Sequence, residues 1–206
     1  MKTSNSNTLI SIQGLKVNFG RKVLIENVDL EVKSGEMILL TGENGAGKTT
    51  LINYITGVKD SKNIKRKEGL QVSFTPQSAF LKGEVCKLIE KFAVMLGTKE
   101  IIKKVKNSFS LEKIWKSDYS IISSGEQQRV KMAIAFLRKP DLIILDEFSR
   151  GLDESTTGSF INLVKNLNKK FNIAIILISH NKRVIKELSK KHLTIKEKRL
   201  VEVKNV

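Results

Sequence analysis

Four short stretches carry residue types suited to phosphate chemistry. Gly42-Glu43-Asn44-Gly45-Ala46-Gly47-Lys48-Thr49 follows the apolar run Ile38-Leu39-Leu40 and leads into a helical pattern from Thr50 to Gly57. Glycine, any four residues, glycine, lysine, then serine or threonine is the spacing of a phosphate-binding loop. Glycines let backbone amides close around phosphate oxygens as a concave nest, and the positive end of the following helix adds attraction. Lys48 would reach the β- and γ-phosphates, and the Thr49 hydroxyl would hold Mg²⁺. The plainer reading is a glycine-rich turn. Eight residues in register between a strand pattern and a helix pattern argue against it.

The second stretch, Leu142-Ile143-Ile144-Leu145-Asp146-Glu147, places two carboxylates at the C-terminal end of a buried strand. Ligand chemistry in open α/β sheets sits at such ends. Two acidic residues can simply leave a strand for solvent, but beside a phosphate loop they gain a task. Asp146 is assigned to the metal, through water, and Glu147 to orienting or deprotonating an attacking water. His180, the third feature, follows the apolar strand Ile173–Ile178 and Ser179 at the same sheet edge, so contact with the γ-phosphate is expected. His192 has no such context. The fourth, Ser123-Ser124-Gly125-Glu126, opens a helix, and Ser123 with Glu126 fits a capping box. A capped helix N-terminus bearing a glycine and a serine is also a second phosphate site. One chain rarely needs two for one nucleotide; two chains facing head to tail would need both.

The elements that position these residues are legible from periodicity. Leu9–Phe19 and Val23–Lys33 alternate apolar and polar residues around Gly20-Arg21-Lys22, which predicts an antiparallel strand pair. Met37–Thr41, Leu70–Phe74, Leu142–Leu145 and Ile173–Ile178 read as further strands, the last two as continuous apolar runs buried on both faces. His192–Ile195 and Leu200–Val203 are weak strand patterns. Val85, Leu88, Ile89, Phe92 and Leu96 give one amphipathic helix, Lys99–Phe109 a more basic one, and helices are expected from Gly125 and over Ser155–Lys169. Lys59–Gly69 reads as a charged surface loop. Strands alternating with helices predict an α/β fold with a mainly parallel sheet. An antiparallel β-subdomain is expected at its N-terminus. A small helical subdomain over about 78–122 would be inserted in a single domain whose core is 8–77 and 123–206.

Composition narrows the class. The chain has 206 residues, a length suited to one domain, and one cysteine, Cys86, which cannot form an internal disulfide and points to a reducing cytosol. No apolar stretch approaches the roughly 20 residues that span a bilayer, and Met1–Thr8 lacks a signal-peptide core. The formal net charge is +16, and 30 of the 37 basic residues are lysines spread along the sequence. Lysine is a solvated point charge, whereas base recognition leans on the arginine fork. Two readings of the charge stand, solvated faces and a surface adapted to an anionic partner, with the first favoured; an anionic membrane leaflet would also suit it, and nucleic acid is not an expected partner.

Taken together, the motifs resemble the ATP-binding cassette (ABC) ATPases over roughly residues 9–203. Ile122-Ser123-Ser124-Gly125-Glu126-Gln127-Gln128-Arg129 is similar to the family's leucine-serine-glycine-glycine-glutamine signature. Phe19 stands where an aromatic stacks on adenine, Gly42–Thr49 is the Walker A loop with Thr50 after it, and Gln77 falls at the Q-loop. Asp146 and Glu147 complete Walker B, Gly151-Leu152-Asp153 resembles the D-loop, and His180 the switch histidine. Three departures stand out: Ser124 for the first signature glycine, Glu126 for glutamine, and Phe148 where proline is frequent. Ser124 is expected to slow the composite site rather than abolish it.

The resemblance implies a nucleotide-binding subunit using ATP and Mg²⁺, with Thr49, Gln77 and Asp146 on the metal side and Glu147 and His180 as catalytic residues. Two subunits, a second copy or a homologous ATPase, would close head to tail around ATP. Each nucleotide would lie between one Walker A loop and Ser123, Gly125 and Glu126 of the other subunit. Integral membrane transporter subunits would be separate chains, with this one peripheral on the cytoplasmic face. The single cassette disfavours the tandem translation-factor branch, and with about 26 residues after His180 no appended regulatory domain is expected. The compact size suggests pairing with exporter-type membrane proteins. The alternatives are a soluble cassette ATPase in cofactor assembly or nucleic-acid handling, and a weak ATPase acting as a switch.

Overall fold

The computed structural model of the chain describes residues 7–75, 81–149, 151–188 and 190–203. Two alternating segments form β1 (Thr8–Phe19) and β2 (Lys22–Lys33), antiparallel, with Ile10 opposite Val32, Ile12 opposite Leu30 and Val17 opposite Ile25. These apolar partners point to one buried face. The turn between the strands needs only Gly20 and Arg21.

The centre of the fold is a parallel block of β8 (Lys191–Lys196), β3 (Met37–Gly42), β7 (Ala174–Ile178), β6 (Leu142–Asp146) and β5 (Val72–Thr75), in that order. β3, β7 and β6 have no polar face because both of their faces are covered. Met37, Leu39, Ile143, Leu145, Ile175 and Leu177 enter one buried cluster. Their neighbours Ile38, Leu40, Leu142, Ile144, Ile176 and Ile178 enter the other. Period-2 alternation survives, but it sorts apolar residues between two cores rather than apolar from polar. β9 (Arg199–Glu202) turns back antiparallel on β8 and meets β2 at Asn27–Arg199, completing the order β4-β1-β2-β9-β8-β3-β7-β6-β5 with β4 (Ile64–Arg66) at the edge.

On one face α1 (Lys48–Ile55) packs Leu51, Ile52 and Ile55 against β1, β2 and β3. The other face carries α4 (Ser124–Phe136), α5 (Glu154–Phe171) and α6 (Lys182–Leu188), together with α2 (Val85–Met95) and α3 (Ile102–Ser108). Val85, Ile89, Val105 and Phe109 share this cluster with Leu39, Leu145 and Leu177 of the sheet, so the helices of 85–108 have no separate apolar core. Helix ends follow local chemistry. Asp153 Oδ1 accepts the Thr156 N–H at 2.8 Å to start α5, and Lys169 and Lys170 in its last turn complement the helix dipole.

Two elements differ from the sequence reading. The charged 59–69 connection contains β4, which pairs antiparallel with β1 through Ile10–Arg66 and Ile12–Ile64. The open edge of β1 supplies the ladder, and Arg66 is held by the carbonyls of Tyr54 and Ile55 at the end of α1. The lysine-rich stretch after His180 forms α6, where only Val184 and Leu188 are buried. Two apolar positions four apart are too few for a periodicity signal, and Asn181 Oδ1 starts the helix by accepting the Arg183 and Val184 N–H groups. The expected basic helix begins as a 3-10 turn at Lys99–Ile101 before α3.

Ile176, 1% exposed in the middle of β7, tests the two-core arrangement. Ile176→Ala should cost about 2–5 kcal/mol in denaturant unfolding. Val94→Ala at an exposed position on α2 should stay within about 0.5 kcal/mol.

Candidate functional site

Parallel strands send all their C-terminal ends to one edge, and the register decides which residues meet there. Leu40 pairs with Ile178, and Asp146 pairs with the same Ile178 from the other side. The loop after β3, the carboxylates after β6 and His180 after β7 therefore emerge together. They line one cleft of about 730 Å³, walled by Asn44, Gly45, Gly47, Lys48, Thr49 and Thr50 from the loop, then Asp146, Glu147, Ile178 and His180, with Phe19, Lys22 and Leu24 from the β1–β2 hairpin.

The loop is held from inside. The Lys48 ammonium donates to Gly42 C=O at 2.8 Å and Glu43 C=O at 3.0 Å, and Ala46 N–H donates to Glu43 C=O at 3.2 Å. Gly47 caps α1 at φ 107° with no side-chain bond to the first amides. A Cβ there would stand 3.0 Å from the Cβ of Leu24, so the position excludes a side chain by both conformation and space. The first amides of a helix have no acceptor within it. Here they open on the cleft beside the Lys48 ammonium, which is a fit for a polyanionic phosphate. The Thr49 hydroxyl and the Asp146 carboxylate are hard oxygen donors of the kind Mg²⁺ takes, with phosphate and water left to complete its shell.

Asp146 is half-buried, and burial pushes its carboxyl above the ordinary carboxylate range while the Lys48 charge pulls the other way. Glu147 takes φ +49°, a conformation costly for a side-chain-bearing residue. Its N–H donates to Ile178 C=O at 2.9 Å, and its Oε1 lies 3.5 Å from His180 Nε2. Phe148, next in the chain, is buried and stacks on Phe160 at 4.6 Å between ring centroids, anchoring the loop to α5. Phe19 is 69% exposed at the cleft mouth.

The Ser123–Glu126 segment stands elsewhere, and none of its residues lines the cleft. Its capping box is formed: Ser123 Oγ accepts the Glu126 N–H, and Glu126 Oε2 accepts the Ser123 N–H at 2.9 Å. Gly125 is required by packing within the chain, because a Cβ there would fall 2.2 Å from Thr156 Cγ2. Ser124 is exposed and meets no such obstacle. Gln77 lies outside the described residues.

Lys22 and Leu24 were not legible as site residues. The only signal is the consecutive apolar pair Leu24-Ile25, where Ile25 takes the core and leaves Leu24 to cover the loop. His192 also gains a context: its Nε2 bonds Thr41 Oγ1 at 2.7 Å just before the phosphate loop, and burial lowers its pKa.

A family model described as "ABC transporter" matches residues 25–150. The zinc import ATP-binding protein ZnuC of Photobacterium profundum is 31% identical over 183 residues, covering 86% of this chain and 71% of that protein. ZnuC of Rickettsia prowazekii is 33% identical over 180 residues, covering 84% and 76%. Among solved structures, cbiO1 of Clostridium perfringens, part of the transporter complex cbiONQ, superposes with a TM-score of 0.84 at 20% identity over 95% of this chain and 88% of that one. The ATP-binding subunit of another ABC transporter gives 0.76 at 23% identity, covering 95% and 90%. These two likenesses concern the fold.

A carboxyl whose folded-state pKa is raised binds its proton more tightly when folded, so ionised Asp146 costs stability above the ordinary carboxylate range and the cost fades as pH falls through it. Asp146→Asn should therefore raise the nucleotide-free melting temperature at about pH 7, by about 2–4 °C per kcal/mol relieved. The gain should vanish below about pH 4. Thermal scans across that range check both the sign and the window.

Proposed function

The chain belongs to the ABC transporter family of ATP-binding, ATP-hydrolysing subunits, and from that premise we propose that it powers import through separate membrane-embedded partners. The observation that carries the hydrolytic part is the meeting of Glu147 and His180, 3.5 Å apart, in the cleft of the phosphate loop. In this reading the α1 amides and Lys48 bind the β- and γ-phosphates, and Phe19 stacks on the adenine. Thr49 and Asp146 hold Mg²⁺, with Gln77 joining them from outside the described residues. Bound there, Mg²⁺ neutralises phosphate charge. Glu147 takes the proton of the attacking water, and His180 steadies both the γ-phosphate and the Glu147 carboxylate.

The Ser123–Glu126 helix start is capped, takes no part in lining the cleft of its own chain, and supports a head-to-tail dimer in which it covers the partner's nucleotide. Ser123, Gly125 and Glu126 would supply the second wall, and Ser124 would add one exposed hydroxymethyl to it. The relatives reported above are named for zinc import, so the cargo class is a divalent metal ion and the direction inward. The exporter-type expectation, drawn from compact size, has no support among them and is withdrawn.

No helix among the described residues is long and apolar enough to cross a membrane, and we place the chain peripherally on the cytoplasmic face. Its docking surface is an apolar groove of about 440 Å³ between β5, α2 and α4, lined by Phe74, Phe92, Met95, Leu96 and Ile134. Met95 at 72% and Phe74 at 39% exposure leave apolar area open to a membrane subunit. The helices of 78–122 would carry the motion of the dimer to that partner.

Two outcomes test this. Glu147→Gln should abolish turnover while trapping an ATP-bound dimer in size-exclusion chromatography; a monomer with ATP bound would count against the dimer. Met95→Glu should lose copurification with an integral membrane protein while ATP binding stays within about twofold of the parent, since a surface change of this kind costs the fold little.

A further inference from the structure

Glu147 and His180 meet across a gap between two loops, one leaving β6 and one leaving β7. Their side chains set that meeting weakly, since the contact is 3.5 Å and the imidazole is 55% exposed. Beneath it lies a buried arrangement of one short backbone bond and one longer hydroxyl contact. Glu147 N–H donates to Ile178 C=O at 2.9 Å. Further along the two loops, Ser149 Oγ and Ser179 Oγ stand 3.4 Å apart. These serines are 5% and 1% exposed. Ser179 Oγ also accepts the Asn181 N–H at 3.1 Å, so one hydroxyl fixes the backbone on both sides of His180. Ser149 C=O accepts the Leu152 N–H at 3.2 Å, closing the turn that leads to Asp153.

A buried hydroxyl is costly unless bonded, and here two stand against each other in the interior. Glu147 at φ +49° supplies a use for them. A side-chain-bearing residue in that conformation stays there only when its surroundings over-determine it. The Glu147–Ile178 bond precedes it in the ladder, the Phe148 ring anchors the next residue, and the serine pair closes the far side.

We infer that the Ser149–Ser179 hydroxyl pair is the positioning contact for hydrolysis, registering the loop after β6 on the loop after β7 so that Glu147 and His180 address one phosphate at a fixed separation. Neither serine lines the cleft; Ser179 acts through the adjacent His180, and Ser149 through the short stretch that links it to Glu147. The inference rests on the roles given above to Glu147 and His180.

The experiment is steady-state ATP hydrolysis by the purified chain carrying Ser149→Ala, Ser179→Ala or both, with affinity read separately from a fluorescent ATP analogue. Each single variant should lower kcat about three- to tenfold, as sub-ångström misplacement of reacting groups does. KM and analogue affinity should stay within about twofold, because the phosphate loop is untouched. The double variant should be no worse than the poorer single one, the mark of one shared contact. Ser149→Thr, which keeps the hydroxyl, should recover turnover. Asn168→Ala provides the structural control: its amide donates to Gly35 and Ile173 carbonyls at 2.9 and 2.8 Å, away from the cleft. It should lower the melting temperature without lowering kcat. Unchanged kcat in the serine variants, additive losses, or losses matched by Asn168→Ala would overturn the inference. Glu147→Gln and His180→Ala separate the two readings. If they abolish turnover and the serine variants do not, only the hydroxyl pair fails; if they leave turnover intact, the site assignment fails first.

Discussion

Everything at the nucleotide cleft depends on the burial of β3, β7 and β6 on both faces. A strand with no solvent face can place polar chemistry only at its ends. In a parallel block those ends are all C-terminal on one side. The polar residues Thr41, Asp146 and Ser179 thus fall at the points where three apolar runs stop. Sliding any strand by one register step would exchange its side chains between the two cores, so the packing that stabilises the sheet also fixes the site.

The cleft combines order with strain. The phosphate loop is closed by Lys48 on the carbonyls of Gly42 and Glu43, and Gly47 packs on Leu24 with no room for a Cβ. The first amides of α1 and the Lys48 ammonium are arranged for an anion in advance, which reduces the ordering that binding must supply. The carboxylates carry the opposite sign of cost. Burial pushes the Asp146 carboxyl above the ordinary carboxylate range, and Glu147 is held in a left-handed backbone conformation. Both groups are less comfortable than ordinary surface acids, and both line the cleft of the phosphate loop.

The segment Ser123–Glu126 illustrates how one sequence feature can satisfy two demands. Its serine and glutamate cap α4, and its glycine admits the Thr156 methyl of α5. Thr156 is in turn bonded to Asp153, the last residue of the D-loop-like turn. The helix start is therefore tied to that turn within one chain, while Ser123 and Ser124 stay exposed.

Local pattern alone determined the phosphate loop, the strand pair β1–β2, the apolar strands and the capped start of α4, because each rests on contacts within a few residues or on a strict period. The ordered motifs also determined the ATP-binding family. Tertiary structure alone decided the rest. β4 exists because β1 has an open edge, not because Ile64–Arg66 is strand-like. α6 exists because Val184 and Leu188 find a cluster to enter. Lys22 and Leu24 reach the cleft, and Ser149 meets Ser179, through neighbours distant in the chain, and no single-sequence periodicity encodes such encounters. Gly125 could be read as a phosphate contact from its motif; only the approach of Thr156 reveals that packing demands it as well. The residues named their chemistry, but the register of three buried strands decided which of them would meet.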